Sequence, residues 1–157
     1  LAPFVAEIIA VDASAAMLQA ARKRLQGMDH VSLRRGDLES LPIDNERLDA
    51  ATLMLVLHHL PEPALALAEV ARVLKPHGRV IIADMLPHDR DGYHQQMGHV
   101  WLGFAPDHLE ELLTDHGFGD VRIIPLPPDS KAKGPGLFIA TARRSSDTRS
   151  PDAHTGE

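Results

Sequence analysis

Apolar positions along the chain fall into alternating strand-like and helix-like segments. The segment 7–12, which is apolar from Ile8 to Val11, predicts a buried strand that ends in Asp12, and Ser14 then stands where a helix N-cap would. Gly27 supplies a stop signal for that helix, and residues 31–35 read as a second short strand. The side chains predicted to share the inward helical face are Met17, Leu18, Ala21 and Leu25.

The middle of the chain continues the alternation. Residues 48–57 are mostly apolar, which predicts a central parallel strand covered on both faces. Pro63 suits the first turn of a helix, the segment 75–78 ends it, and residues 79–84 form the next strand. The buried face of that helix is predicted to carry Leu67, Val70, Ala71 and Leu74.

The final third of the chain predicts a helix and then a strand hairpin. The helix covers 106–116, with Ala105 as a weak N-cap. Strands at 121–125 and 137–142 are joined without a helix, so we expect them to pair antiparallel. Residues 143–157 are polar and predict a disordered tail behind a domain that spans 1–142.

Composition narrows the class of protein. A chain of 157 residues with 44% hydrophobic and 24% charged residues suits one domain with a single core. No apolar run approaches the roughly 20 residues of a membrane span. The absence of Cys excludes disulfides, thiol catalysis and Cys-based metal sites, and it fits the cytoplasm as the location. A net charge of -6 without a basic stripe argues against nucleic acid as a direct partner.

A carboxylate at the end of a strand is the strongest chemical signal. In nucleotide-binding α/β folds, an acid at the end of the second strand accepts hydrogen bonds from the ribose hydroxyls. Asp12 has that place, yet none of the eleven residues before it is Gly. We therefore expect the first strand and its Gly-rich loop to be missing and the domain to be partial.

Four segments resemble class I S-adenosylmethionine-dependent methyltransferases of the ubiquinone/menaquinone-biosynthesis-like subgroup. They are 11–18, 36–42, 48–60 with its paired histidines, and 74–79, where His77 replaces a glycine. The resemblance implies a Rossmann-like class I methyltransferase sheet of seven strands with an antiparallel C-terminal hairpin. The missing first strand would lie at its centre. Segments 84–90, 99–104 and 133–138 further resemble methyltransferase domains fused behind an ArsR-type winged-helix repressor.

The resemblance also implies S-adenosyl-L-methionine as cofactor. Asp12 would bind both ribose hydroxyls, while Asp37 and the backbone N–H of Leu38 would bind the adenine. Small and apolar side chains after the first and third predicted strands would cover the adenine and the methionine part. The complete implied set is Asp12, Ala13, Met17, Asp37, Leu38, Leu55 and Val56.

The chemistry of methyl transfer suggests where a base would stand. A sulfonium methyl group is already reactive, so the protein has mainly to align the acceptor in a dry site. If the acceptor is a hydroxyl or an acidic C–H, a base helps, and His59, His58 and His88 are the candidates. No metal site is expected, because the spacing of His88, His94 and His99 matches no recognised ligand pattern.

Three functions remain open at this point. The first is methyl transfer to a small-molecule acceptor, impaired in this chain because two apolar strands would lack their shared neighbour. The second is an effector-binding sensor module of an ArsR-type transcriptional regulator, with a winged-helix DNA-binding domain upstream; a homodimer is also compatible. The third is a nicotinamide-dependent Rossmann enzyme, which Asp12 alone permits but the Asp37 segment and the terminal hairpin disfavour.

Overall fold

The computed structural model describes residues 4–127 and 134–146, and the chain divides into two compact units, Leu1–Asp44 and Asn45–Glu157. In the first unit, two parallel strands flank one helix, and Asp12 lies opposite Arg35 in the strand register. The backbone N–H of Met17 donates to Ser14 Oγ at 3.3 Å, which confirms Ser14 as the N-cap. The elements are β1 Ile8–Asp12, α1 Ala15–Arg24 and β2 Val31–Arg35.

The first unit has little buried apolar surface. Among its described residues, the buried hydrophobic side chains are Leu18 and Ile43. Met17, predicted on the same inward face as Leu18, is 60% exposed, so that prediction is wrong. Successive residues on a helix point about 100° apart, and Leu18 takes the inward position.

The second unit is built on a four-stranded mixed sheet with the order β3-β4-β6-β5. β3 and β4 pair parallel, whereas β6 pairs antiparallel with both β4 and β5, which confirms the predicted C-terminal hairpin. A 3-10 turn at Leu57–His59 follows β3. The elements are β3 Leu48–Met54, α2 Pro63–Val73, β4 Leu74–Met85, α3 Gly92–Met97, α4 Pro106–Asp115, β5 Phe118–Pro125 and β6 Leu137–Arg144.

The hydrophobic core of the described residues lies almost entirely in this second unit. Side chains of α2 and α4 pack with the sheet, and Ala105 is indeed a helix N-cap that makes no side-chain hydrogen bond. The largest fully buried hydrophobic side chains are Phe104, Phe118, Phe138, Leu57, Leu67, Leu74, Ile82, Leu109 and Leu113.

The segment 75–78, predicted to end a helix, lies within β4 and bulges from the ladder. The pairing with β3 passes from Leu74 directly to Arg79. Within the bulge, His77 has φ 65°, a left-handed conformation that glycine adopts most easily. That backbone geometry explains why the family pattern has glycine where this chain has His77.

β3 differs from its prediction in length and in burial. The strand ends at Met54, which is 52% exposed, and Leu53 is its one buried residue. The expectation of a strand covered on both faces over 48–57 is therefore wrong. Within the described residues β3 has β4 as its one neighbouring strand, so it lies at a sheet edge, and Leu55 with φ 54° turns the chain out of the strand.

The described strands form two sheets rather than one, with β1 paired to β2 alone and β3 paired to β4 alone. β6 runs to Arg144, two residues beyond the predicted domain boundary. The Arg144 side chain is held by the second unit, because its buried guanidinium donates to the Leu74 carbonyl and forms an ion pair with Glu46 at 3.2 Å. The rest of the predicted tail, 147–157, lies outside the described residues. None of the described helices has the length and apolarity needed to cross a membrane.

Candidate functional site

The carboxyl edge of the β1–β2 pair carries both predicted adenosine-binding acids. Asp12 ends β1 opposite Arg35, and Asp37 follows two residues after Arg35, so both acids lie at the same edge. Asp12 Oδ1 accepts the Ser14 N–H at 2.7 Å, which helps the chain turn into α1. A carboxylate offers about four acceptor positions, so this local bond leaves capacity for ribose hydroxyls.

The other predicted adenosine contacts lie at the same edge. Asp37 is exposed, and its carbonyl oxygen accepts the Ser40 N–H at 3.2 Å in a tight turn. Ala13 and Met17 are exposed, and Leu38 is half-buried. The structure thus places the five predicted residues of the first unit at the end of β1, in the first turn of α1 and just after β2, and their contacts with a cofactor stay a prediction.

The two remaining predicted cofactor residues, Leu55 and Val56, belong to the second unit and follow β3. Leu55 holds φ 54° while its N–H donates to the Ala83 carbonyl at 2.8 Å. A non-glycine residue in this region costs about 1–3 kcal/mol and persists where the surroundings over-determine it. Such strain is concentrated at functional sites, which supports a role for this turn.

A buried histidine–carboxylate pair lies at the carboxyl ends of β3 and β4. His58 Nδ1 lies 2.7 Å from Asp84 Oδ1, and both side chains are almost fully buried. Asp84 also accepts the Leu57 N–H at 3.0 Å and the Met85 N–H at 2.8 Å. Because the carboxylate only accepts, His58 Nδ1 carries the proton and Nε2 keeps its lone pair.

Asp84 is the residue of this site to which sequence reasoning gave no role. The signal was present, because Asp84 closes the apolar segment 79–84 and is the penultimate residue of β4, close to the carboxyl end of its strand as Asp12 is in β1. Neighbouring parallel strands end at one sheet edge, so the carboxylate of β4 meets the histidine that follows β3.

A third histidine, His99, completes a cluster with His58 and His59. The ring centroids lie 4.2 Å apart for His58 with either neighbour and 5.1 Å apart for His59 and His99. His59 is exposed, and its Nδ1 lies 3.2 Å from the Gly98 carbonyl, so Nδ1–H donates there and Nε2 keeps a lone pair. The His58 carbonyl in turn accepts the N–H groups of Val100 and Trp101, at 2.9 and 3.0 Å.

His88, the third predicted base, is arranged differently. Its Nδ1 accepts the Arg90 N–H at 3.3 Å, so in the neutral ring Nε2 carries the proton, and this atom is buried without a partner. In this form His88 presents a donor rather than a base. Burial and the Arg90 charge lower the pKa of His88, and burial and the neighbouring His58 and His59 lower that of His99.

Comparison with known proteins identifies the family. A family profile described as "Methyltransferase domain" matches residues 1–82. The demethylmenaquinone methyltransferase of Clavibacter sepedonicus is 39% identical over 92 residues, which cover 56% of this chain and 38% of that protein. The uncharacterized methyltransferase YcgJ of Bacillus subtilis is 32% identical over 111 residues, covering 69% and 44%. The chain thus spans less than half the length of these curated relatives.

Solved structures show the same fold. The structure of YcgJ matches with a TM-score of 0.75 at 20% identity, covering 93% of this chain and 86% of that one. The [4+2]-cyclase SpnF matches with a TM-score of 0.74 at 21% identity, covering 88% and 66%. A fold shared with a cyclase does not by itself assign a reaction. The fusion to an ArsR-type regulator stays a prediction, whereas the wider resemblance is confirmed: the chain belongs to the methyltransferase-domain family, among the class I S-adenosylmethionine-dependent methyltransferases.

Proposed function

We propose that this chain binds S-adenosyl-L-methionine and transfers its methyl group to a small-molecule acceptor. The observation that carries the proposal is the family match over 1–82, which spans Asp12, Asp37 and the turn after β3. The shared edge position of the two acids supports it, because a ribose and an adenine bound side by side need acceptors from adjacent strands.

In this proposal each of the two acids binds a different part of the nucleoside. Asp12 accepts from the ribose hydroxyls, and Asp37 accepts from the adenine amino group. Both bonds would be charge-assisted, which makes them stronger than neutral hydrogen bonds. The exposed Met17 side chain, free of the core, is available to cover the adenine face.

The acceptor would be a hydroxyl or an acidic C–H, with His59 as the base. His59 is exposed, and its Nδ1–H bond to the Gly98 carbonyl leaves the Nε2 lone pair for a proton. His58 has the same tautomer, but with 1% exposure it cannot contact a substrate. We assign His58 and Asp84 to positioning the turn that presents His59.

Equilibrium binding tests the cofactor. Calorimetric titrations of the 157-residue chain with S-adenosylmethionine and with NAD, each continued well above millimolar concentration, should give saturable binding of S-adenosylmethionine alone. Asp12→Asn keeps an acceptor for the Ser14 N–H and removes the charge, so it should weaken binding at least about tenfold. Asp29→Asn, at an exposed acid of the same unit, is the matched control and should leave the affinity unchanged.

The outcomes separate two parts of the proposal. Millimolar affinity would support both the cofactor and the expected impairment of this chain. Micromolar affinity with a cooperative thermal transition would keep the cofactor and overturn the impairment. No saturable binding, or equal affinity of Asp12→Asn and Asp29→Asn, would overturn the cofactor assignment.

The base is tested by single-turnover transfer of a labelled methyl group to a panel of small hydroxyl and acidic C–H compounds. His59→Gln should lower the transfer rate at least about tenfold, because a general base contributes roughly 10²–10⁴-fold to such a step. A transfer rate that His59→Gln leaves unchanged would exclude His59 as the base without touching the cofactor assignment.

A further inference from the structure

One ring nitrogen from each of His58, His59 and His99 lies within 4.8 Å of the other two. Imidazole nitrogen is a common zinc ligand, and three such ligands with a fourth position open are typical of zinc sites that bind a further ligand. Two members of this cluster are buried and one is exposed, so the open position would face solvent on the His59 side.

The hydrogen bonds around the cluster already select the tautomers that a metal needs. Asp84 holds the proton of His58 on Nδ1, and the Gly98 carbonyl does the same for His59. Both rings therefore offer an Nε2 lone pair. A carboxylate or backbone carbonyl bound to the other ring nitrogen is the usual outer partner of a metal-ligating histidine.

His99 supplies an independent observation. This side chain is 5% exposed, and its Nδ1 is buried without a hydrogen-bond partner. A buried polar atom without a partner costs about as much as a lost hydrogen bond, so native structures rarely leave one unexplained. A bound cation beside His58 and His59 would satisfy the Nδ1 lone pair.

The three ring nitrogens must move closer together to bind one metal ion. Ligands at zinc-nitrogen distances near 2.0–2.1 Å in a tetrahedron lie about 3.3 Å apart, so the 4.8 Å limit of the cluster requires some inward movement. His58 is fixed by Asp84, whereas His59 ends a short 3-10 turn and His99 lies in the loop after Gly98. Closing the site therefore requires His59 and His99 to move towards His58.

We propose that His58, His59 and His99 form a binding site for a divalent transition metal of the Zn²⁺ class, oriented by Asp84, with a fourth position for water or an oxygen ligand. This departs from the expectation of no metal site, which rested on the spacing of His88, His94 and His99, of which only His99 belongs to the present cluster. It goes beyond methyl transfer and does not depend on it. Ligation would use the Nε2 lone pair of His59, so a metal-bound molecule would not use His59 as a base.

The test is metal binding by the full 157-residue chain after removal of bound ions with a chelator. Titration with ZnCl₂ against a chromophoric competitor should show one equivalent bound with micromolar or tighter affinity. Co²⁺ should give the intense visible bands of a four-coordinate ion. His59→Gln and His99→Gln should each weaken Zn²⁺ binding at least about tenfold. His108→Gln removes an exposed histidine outside the cluster and should leave binding within about twofold.

Two results would overturn the site: no saturable Zn²⁺ binding, or binding that His59→Gln leaves as strong as His108→Gln does. Because His59 is exposed, its variant should fold, and an unchanged far-UV circular dichroism spectrum is required of every variant. Weak Co²⁺ bands typical of a six-coordinate ion would also count against the three-histidine site. None of these readouts involves methyl transfer or S-adenosylmethionine, so failure here leaves the proposed function standing.

Discussion

Removal of the Asp84 carboxylate should destabilise the second unit strongly. Asp84 is fully buried and accepts hydrogen bonds from His58 Nδ1 at 2.7 Å, Met85 N at 2.8 Å and Leu57 N at 3.0 Å. Each buried donor left without a partner costs about 1–3 kcal/mol, and the Met85 donor is only partly buried. Asp84→Ala should therefore lower the free energy of unfolding by about 3–6 kcal/mol, a large part of the roughly 5–15 kcal/mol typical of a domain.

Asp84→Asn gives an intermediate case. An amide oxygen in the place of Oδ1 would keep the bonds from His58 and Met85, whereas the amide nitrogen would face the Leu57 N–H. The amide nitrogen and the Leu57 N–H are both donors and cannot bond each other, so the free energy of unfolding should fall by about 1–3 kcal/mol. Asparagine should thus be clearly milder than alanine.

Urea unfolding followed by far-UV circular dichroism measures both variants, with comparison made at equal m-values. Asp49→Ala is the matched control, because Asp49 is an exposed strand acid that pairs with Lys75 at 2.7 Å. Its midpoint should stay unchanged, since exposed ion pairs contribute little. Equal midpoint shifts for Asp84→Ala and Asp49→Ala, or an asparagine variant as damaged as the alanine variant, would refute the reasoning.

Three further outcomes are expected. Burial lowers the pKa of His88 and His99 in the folded chain, so the unfolded chain binds more protons just below about pH 6.5. Acidification through this range should therefore lower the urea midpoint. His99→Gln should make that decrease smaller, because it removes one of the two histidines. Gly103→Ala should lower the melting temperature much more than Gly98→Ala. Both have positive φ, but an added Cβ at Gly103 would clash with the backbone carbonyl of Leu86, whereas the space around Gly98 is open. Leu55→Gly should raise the free energy of unfolding by about 1 kcal/mol, because glycine adopts the φ of 54° without strain and the leucine side chain is already half-exposed. A lowered urea midpoint would count against strain at this position.

Much of the secondary structure could be predicted because its signals are local. Ser14 caps α1 with its own side chain, and Pro63 begins α2 because its fixed φ suits a first turn. The antiparallel ending follows from a connection too poor in helix formers to cross the sheet. The burial of β3 was predicted wrongly, because the apolar character of 48–57 does not show whether a second strand lies beside it.

The candidate site divides in the same way. Asp12 and Asp37 could be found from sequence, since each follows a recognisable strand. His58 and His59 could be found as a pair, and the position of Asp84 near a strand end is visible in the sequence, but the contacts between these side chains could not be predicted. Asp84 lies 26 residues beyond His58, and His99 contacts both histidines from a loop that carries no periodic pattern.

The sequence by itself determined the alternation of elements, the family and the two acids at the ends of β1 and β2, because caps, turns and apolar spacing act over a few residues. Tertiary structure decided which polar groups meet. It brought Asp84 into hydrogen-bond contact with His58 and buried His99 Nδ1 without a partner. It also brought the side chains of three histidines together in one cluster. The physical reason is that parallel pairing of β3 and β4 brings distant strand ends to one edge, which no local pattern encodes.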